Sequence, residues 1–182
     1  MDLRDWDERY RSGDLDFAPT ALVVEAVGQA PPGKALDLAC GAGRNALWLA
    51  ERGWTVTAVD GSPVAIDILL KRALNVEAIV ADLEKAEYSI DPSSWDLITI
   101  CYYLQRDLFE PAKRGVKPGG LLIAIVHITE PNEGPTYKRL KPGELETWFD
   151  GWEIVHRYEG KPRDPSHKYG VSEIVARRPA KF

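Results

Sequence analysis

The feature that most constrains the fold is a glycine turn between a short apolar run and a helical pattern. Ala35 to Ala39 has the composition of a buried strand, Gly41 and Gly43 follow it, and an amphipathic run begins at Arg44. Glycine lets the backbone turn sharply and lets a ligand contact the main chain. A strand, a glycine turn and a helix in this order predict a parallel α/β unit that binds a ligand at the carboxyl end of its strand.

The same alternation of strand and helix patterns repeats along the first two thirds of the chain. Short β-rich runs alternate with helical patterns, which predicts a doubly wound α/β fold with a mostly parallel sheet and helices on both faces. The predicted strands are Ala35–Ala39, Thr55–Val59, Glu77–Val80, Asp96–Cys101 and Gly120–Ile128. The predicted helices between them are Arg44–Arg52, Pro63–Leu74 and Leu104–Gly115.

The pattern changes after Ile128. A Pro-initiated helix is predicted over Pro142–Phe149, a strand over Trp152–Tyr158 and a second extended segment over Tyr169–Arg177. Two strands joined by a turn-rich loop can pair as antiparallel neighbours. The sequence therefore predicts an antiparallel hairpin at the end of the sheet.

Acidic residues lie within or just after three of the predicted strands. Asp60 comes about 20 residues after the glycine turn, where a carboxylate can accept both hydroxyls of a ribose, and Asp82 follows the third strand, where it can receive an adenine amino group. Gly41, Gly43 and Ala46 also fit the dinucleotide-binding pattern. Asp37, just before the glycines, would repel a pyrophosphate but favour a cationic ligand. These positions indicate an adenosine-containing ligand.

Five motifs in order resemble those of class I S-adenosylmethionine-dependent methyltransferases. They are Asp37 to Asn45, Val59-Asp60-Gly61-Ser62, Ala81-Asp82-Leu83, Trp95-Asp96-Leu97-Ile98 and Lys117-Pro118-Gly119-Gly120-Leu121-Leu122. Trp6-Asp7-Glu8-Arg9-Tyr10, the Arg44-Asn45 pair and Tyr102-Tyr103-Leu104-Gln105-Arg106 are similar to the tellurite-resistance and thiopurine-type enzymes. The resemblance implies a Rossmann-like sheet of seven strands, with an antiparallel strand beside the fifth.

The resemblance also implies roles for individual residues. S-adenosylmethionine, with S-adenosylhomocysteine as product, would be bound by Asp37, Gly41, Gly43, Asn45, Asp60, Gly61, Ser62, Asp82, Leu83 and Cys101. Tyr102 and Arg106 would position the reacting groups, and Trp6, Tyr10, Tyr103 and His127 would contact the acceptor.

A structural role competes with each of these assignments. Asp60 and Asp82 can cap a helix or a turn, and buried free cysteines such as Cys40 and Cys101 usually act as small hydrophobic residues. Trp6 and Tyr10 can simply pack the N-terminal helix onto the sheet. His127 can be a base at the substrate edge or a hydrogen-bonded structural histidine.

Length and composition limit the other possibilities. A chain of 182 residues fits a single domain, residues 1–30 of which we expect to form a helical cover over the ligand edge. The net charge is −5 and the basic residues are scattered, which argues against duplex nucleic acid as a partner and favours a small-molecule acceptor. The cysteines show no metal-ligand spacing, so no metal is expected. The charged N-terminus and the short apolar run Leu121–Val126 predict a cytoplasmic protein without membrane contact, either a monomer or a homodimer.

Three functions are compatible with these features. The first is methyl transfer to a small nucleophile, favoured as a thiol or a metalloid oxyanion because Tyr102, Tyr103, Gln105 and Arg106 offer hydrogen bonds and one positive charge but no obvious general base. The second is an NAD(P)-binding reductase or redox sensor on the same glycine loop. The third is a non-catalytic module that binds S-adenosylmethionine.

Overall fold

The computed structural model describes residues 2–13, 15–73, 75–134 and 136–180. The predicted end of one helix at Leu74 lies outside these residues. The chain divides into one compact unit that ends at Ile90 and a second that begins at Asp91.

The first unit holds three parallel strands and four helices. Its strands are β1 (Lys34–Leu38), β2 (Thr55–Asp60) and β3 (Val76–Val80), and β2 lies between the other two. Its helices are α1 (Leu3–Arg11), α2 (Ala21–Val27), α3 (Arg44–Glu51) and α4 (Pro63–Arg72), followed by a 3-10 turn over Leu83–Lys85. The carboxyl ends of the three strands therefore meet at one edge, where the glycine turn and the acidic residues lie.

Burial and capping explain these elements. Four of the five residues of β1 are buried, as expected for a strand covered on both faces. α4 begins where Ser62 accepts a hydrogen bond from the Ala65 N–H and Pro63 occupies the first turn, a favourable N-terminal combination. The result is a rigid frame for the loops that follow β1 and β2.

The second unit holds four strands and two helices. Its strands are β4 (Trp95–Cys101), β5 (Val116–His127), β6 (Glu153–Gly160) and β7 (Val171–Arg177), and its helices are α5 (Phe109–Gly115) and α6 (Glu144–Thr147). β4 pairs with β5 in parallel, while β7 is antiparallel to both β5 and β6. The antiparallel hairpin is confirmed.

The seven strands belong to one sheet with the order β3-β2-β1-β4-β5-β7-β6. The predicted fold class is confirmed, including the antiparallel strand beside the fifth.

Several boundaries differ from prediction by a few residues, and the helix predicted over Leu104–Gly115 differs most. The segment from Leu104 to Gly115 is a 3-10 turn over Arg106–Leu108 that leads into α5. Pro111 lacks the N–H that a helix interior needs and is tolerated only in a first turn, so the α-helix starts close before it.

Within the described ranges, no helix is long and apolar enough to cross a membrane. The same residues contain no cluster of three or more side chains suited to hold a metal ion.

Candidate functional site

The glycine turn after β1 is built from left-handed backbone. Ala39, Gly41 and Gly43 have φ angles of +54°, +56° and +88°. The Cys40 N–H donates to the Val59 carbonyl at 3.0 Å, and the Gly43 N–H donates to the Cys40 carbonyl at 3.0 Å. Left-handed residues open the turn widely and present main-chain groups, which is the geometry a closely bound ligand needs.

Asp60, the last residue of β2, connects the glycine turn after β1 with the loop after β2. One carboxylate oxygen accepts the Gly41 N–H at 2.8 Å and the other accepts the Ser62 N–H at 2.8 Å. Burial raises the pKa of the Asp60 carboxyl, although both N–H groups act to lower it. A carboxylate has about four acceptor positions, so each oxygen keeps one for a ligand hydroxyl.

The two glycines of the turn face different surroundings. A Cβ added to Gly41 would lie 2.6 Å from the Tyr10 hydroxyl, at the end of a side chain on α1. A Cβ added to Gly43 would lie 2.4 Å from a methyl carbon of Leu69, which is fully buried in α4. Gly41 therefore faces the helical cover, and Gly43 is required for packing within the first unit.

The helix α1 lies against this edge through three contacts. The Ser62 hydroxyl donates a hydrogen bond to the Asp7 carboxylate, the Leu3 side chain lies where a Cβ on Gly61 would be, and Tyr10 lies against Gly41. Trp6 and Tyr10 stack with ring centroids 6.1 Å apart. Burial raises the pKa of Tyr10, and the charge of Asp60 raises it further. The phenol therefore stays protonated. No residue of α1 is fully buried, so these side-chain contacts hold the helix against the edge without a buried core of its own.

Three other predicted cofactor residues serve the frame of the first unit. Asp37 is buried in β1, at 2% exposure. The Asn45 side chain accepts the Thr20 N–H at 2.8 Å and thereby holds the start of α2. Asp82 accepts the Glu84 N–H at 3.0 Å and pairs with Lys85 at 2.9 Å, which lowers the pKa of its carboxyl.

The remaining predicted positions of this unit are apolar or inert. Leu83 is 7% exposed beside Asp82. Cys40 is a free thiol, and burial, with the charges of Asp37 and Asp60, raises its pKa. A thiol held in its protonated form is a weak nucleophile, which matches the behaviour of a small hydrophobic residue.

In the second unit, predicted residues meet others that the sequence did not single out. We define the aromatic cluster as Tyr102, His127, His167 and Tyr169. The rings of Tyr102 and His167 stack 3.6 Å apart, and the ring of His127 lies 5.7 Å from Tyr102, 5.1 Å from His167 and 6.0 Å from Tyr169. Tyr102 follows β4 directly and has a φ of +59°. Such backbone strain in a non-glycine residue is common at functional sites.

The other predicted residues near β4 make local contacts. Cys101 is the last residue of the strand, and the Tyr103 hydroxyl donates to Gln105 at 2.8 Å. The Arg106 guanidinium pairs with Glu144 at 3.1 Å and donates to the Tyr137 carbonyl at 3.2 Å. Arg106 thus holds the segment before α6, and its contact with an acceptor stays a prediction.

Sequence reasoning did not predict roles for Asp7, His167, Tyr169 or Arg139. Asp7 reaches Ser62 across 55 positions of sequence, and Arg139 lies over the Tyr169 ring at 4.1 Å. The only signal for Asp7 was its place in the Trp6 to Tyr10 motif. His167 and Tyr169 come to His127 through the pairing of β5 with β7, and Arg139 comes there through the bridge between Ile128 and Leu140. No local sequence pattern records either contact.

Part of the chain is similar to known proteins. Residues 35–120 match the protein-family model described as a methyltransferase domain. This match confirms the resemblance to S-adenosylmethionine-dependent methyltransferases over these residues. The confirmed likeness extends to a tellurite-resistance-type relative.

Three relatives illustrate the match. Hemagglutinin 1 of Eikenella corrodens is 30% identical over 76% of this chain and 50% of that protein. Demethylmenaquinone methyltransferase of Renibacterium salmoninarum is 32% identical over 63% of this chain and 49% of that protein. The probable S-adenosyl-L-methionine-dependent methyltransferase TehB of Haemophilus influenzae is 28% identical over 75% of this chain and 52% of that protein.

The crystal structure of TehB from Haemophilus influenzae superposes with a TM-score of 0.74 at 22% identity, covering 95% of this chain and 65% of that one. This match shows the fold. The chain spans about half the length of the curated relatives described above.

Proposed function

We propose that this protein binds S-adenosylmethionine at the glycine turn of its first unit and transfers the methyl group to a small nucleophile. The observation that carries the proposal is the hydrogen bond from the Gly41 N–H to Asp60, at 2.8 Å. It joins the turn that approaches the ligand to the carboxylate that recognises a ribose, and the methyltransferase-domain match supports the same ligand.

Each residue of the first unit has a defined task in this proposal. Asp60 accepts the two ribose hydroxyls with the oxygen positions that the backbone leaves open. Asp37 supplies negative charge toward the cationic amino acid end, and Asp82 with the apolar Leu83 receives the adenine. When bound, S-adenosylmethionine supplies a methyl group on a positively charged sulfur, so the chain needs to position the reactants more than to activate them.

The helix α1 would act as a movable cover. The Tyr10 hydroxyl lies against Gly41, so a cofactor that approaches this main chain meets Tyr10 first. With no fully buried residue, α1 can shift at low energetic cost, and Trp6 and Tyr10 would then exclude water from the reacting atoms.

The acceptor, in this proposal, is a thiol or a metalloid oxyanion that reacts as an anion. A small acceptor agrees with the name of the demethylmenaquinone relative, and the TehB relative supports the tellurite-resistance type. Desolvation by the α1 cover would strengthen an anionic nucleophile more than a neutral one.

The experiment is a panel of acceptors incubated with the protein and S-adenosylmethionine, with release of S-adenosylhomocysteine as the readout. The panel contains an alkyl thiol, selenite, tellurite and an amine. We expect release with the thiol or an oxyanion, and much slower release with Asp60→Ala at the same cofactor concentration. If the amine is the best acceptor, the acceptor class is wrong; if the cofactor binds without any release, the non-catalytic module replaces the enzyme.

A further inference from the structure

Ser62, the residue just before α4, holds two carboxylates at the edge beside the glycine turn. Its N–H donates to one oxygen of Asp60 at 2.8 Å, and its hydroxyl donates to the Asp7 carboxylate. The hydroxyl oxygen also accepts the Ala65 N–H at 3.1 Å, which directs the hydroxyl proton to Asp7. Ser62 itself is fully buried. The Asp7 carboxylate therefore has a defined position in the first unit, although it belongs to a helix without a buried residue.

The two carboxylates bring like charges together. Burial raises the pKa of the Asp60 carboxyl and the charge of Asp7 adds to this shift, whereas the N–H groups of Ser62 and Gly41 lower it. The hydrogen-bond donors to both carboxylates named above are neutral, so these donors do not cancel the negative charges. A cation bound near the two carboxylates would lower their mutual repulsion.

Asp7 lies on the face of α1 that contacts the ligand edge. Leu3, four residues before it, lies against Gly61, and Tyr10, three residues after it, lies against Gly41. Residues three and four apart share one face of an α-helix. The cover therefore presents a carboxylate to this edge between two uncharged contact points.

Basic side chains also act on this edge. The charges of Arg9 and Arg44 lower the pKa of Tyr10, against the larger effects of burial and of the Asp60 charge, which raise it. Each arginine has a smaller effect on Tyr10 than Asp60 has. Asp7, in contrast, reaches the loop after β2 by a direct hydrogen bond. Its charge is thus placed beside Asp60 whenever α1 is attached.

The methyl donor and its product differ in charge at one atom. S-adenosylmethionine has a positively charged sulfur, and S-adenosylhomocysteine has a neutral thioether in the same place. Contacts with the adenine, the ribose or the amino acid end are made to parts that both ligands share, so they distinguish the two poorly. The sulfur is bonded to carbon 5′ of the ribose, so a ribose bound to Asp60 brings the sulfur to the same edge.

We propose that Asp7 determines the preference of this protein for the cationic donor over the neutral product. This inference rests on the proposed function and adds a specificity-determining residue to it. Asp60 belongs to the frame, whereas Asp7 belongs to the cover, so attraction between Asp7 and the sulfonium favours the attached position of α1. Transfer of the methyl group removes the positive charge, and the cover then loses this attraction and lets the product leave.

The test compares three ligands by calorimetry. They are S-adenosylmethionine, S-adenosylhomocysteine and sinefungin, an unreactive analogue with a protonated amino group in place of the methylsulfonium. Asp7→Asn keeps the shape of the side chain and an acceptor for Ser62 but removes the charge. We expect it to raise Kd for the two cationic ligands about five- to twentyfold, and Kd for S-adenosylhomocysteine less than about twofold.

Two further variants control for shape and for charge elsewhere on the helix. Asp7→Glu keeps the charge and should keep most of the preference for the cationic ligands. Glu8→Gln removes one negative charge from an exposed neighbour on the same helix and should leave all three Kd values unchanged.

Hydrogen exchange of the α1 amides, residues 3–11, gives a readout of the cover itself. Because the donor charge favours the attached position, we expect S-adenosylmethionine to slow this exchange more than S-adenosylhomocysteine does. In Asp7→Asn the two ligands should slow it equally. A difference that persists in Asp7→Asn overturns the proposal.

The binding data separate the possible failures. Equal weakening of all three ligands by Asp7→Asn would show a structural role, and weakening of S-adenosylmethionine alone would show a contact with the methyl group; both results overturn the proposal. An unchanged preference in Asp7→Asn, or equal Kd values for donor and product in the wild type, also overturns it. In each of these cases binding of S-adenosylmethionine by the wild type leaves the proposed function in place, whereas no binding by the wild type overturns both.

Discussion

The glycine turn of the first unit and the aromatic cluster of the second show how differently two strand ends can be elaborated. Both begin with a left-handed residue directly after a strand, Ala39 after β1 and Tyr102 after β4. The glycine turn continues with small residues and is closed by a carboxylate, whereas the cluster continues with large rings and carries two imidazoles. The first arrangement exposes main chain to a ligand, and the second packs aromatic rings around the His127 imidazole.

The charges of the two regions differ as well. Asp7, Asp37 and Asp60 lie at or near the glycine turn, and their effect on neighbouring groups is to raise pKa values. Burial lowers the pKa of His127, and the charge of Arg139 acts in the same direction. An acidic edge suits a cationic methyl donor.

Substitution of the two glycines should separate ligand approach from packing. Gly41→Val would meet the Tyr10 side chain and the space that the ligand needs, so we expect S-adenosylmethionine binding to be lost while the fold is kept. Gly43→Val would meet buried Leu69 at a positive φ, and we expect a loss of about 2 to 5 kcal/mol in the free energy of unfolding.

Chemical denaturation and calorimetry check both variants. Gly151→Val is a matched control, because that glycine has a positive φ and nothing within 4 Å of an added Cβ. Undiminished binding by folded Gly41→Val would show that Gly41 only shapes a turn.

Replacement of Asp60 by Ala should have the second largest effect, a weakening of cofactor binding. The change removes the charged acceptor of two ribose hydroxyls. We expect binding to lose about 2 to 4 kcal/mol of free energy, which raises Kd roughly 30-fold to 1,000-fold. Asp67→Ala, an exposed residue of α4 that pairs with Lys71, is the control. An unchanged Kd for a folded Asp60→Ala protein would remove Asp60 from the site.

The glycine turn and its carboxylate could be predicted from the sequence because their residues lie in consecutive elements of the chain. Gly41, Gly43 and Asp60 belong to neighbouring βα units, and motif spacing alone brings them to one edge of a parallel sheet. The mostly parallel sheet and the antiparallel β7 beside the fifth strand were also predicted correctly, since pattern and resemblance agreed on them.

The aromatic cluster could not be predicted in the same way. His167 and Tyr169 reach His127 only because the register of β7 against β5 sets Val171 opposite His127. The contact of Arg106 with Glu144 and the Asp7 bond to Ser62 likewise depend on tertiary packing between segments far apart in sequence. Periodicity records which face of an element is buried, but not which distant side chain it meets.

Loss of the α1 cover should have a moderate effect that falls mainly on turnover. For Tyr10→Ala we expect turnover to fall about tenfold, equivalent to about 1.4 kcal/mol of barrier, with a smaller change in the free energy of unfolding. Glu8→Ala, an exposed residue of the same helix, should change neither. Normal turnover by Tyr10→Ala would show that the helix only packs on the sheet.

Arg106→Ala should give the smallest effect. Its side chain is 41% exposed and paired with Glu144, and exposed pairs contribute little to stability. We expect the KM for an anionic acceptor such as tellurite to rise by about three- to tenfold, with cofactor affinity unchanged. Arg157→Ala, which removes the more exposed pair with Glu146, controls for charge. Equal KM values for both variants would leave Arg106 with a structural role only.

The most direct test of the central claim is calorimetric titration of the wild-type protein with S-adenosylmethionine and, separately, with NADH. The account predicts that one S-adenosylmethionine binds per chain, that Asp60→Ala weakens this binding, and that NADH gives no heat of binding, because Asp37 disfavours a pyrophosphate at the glycine turn. Binding of NADH without binding of S-adenosylmethionine would contradict it.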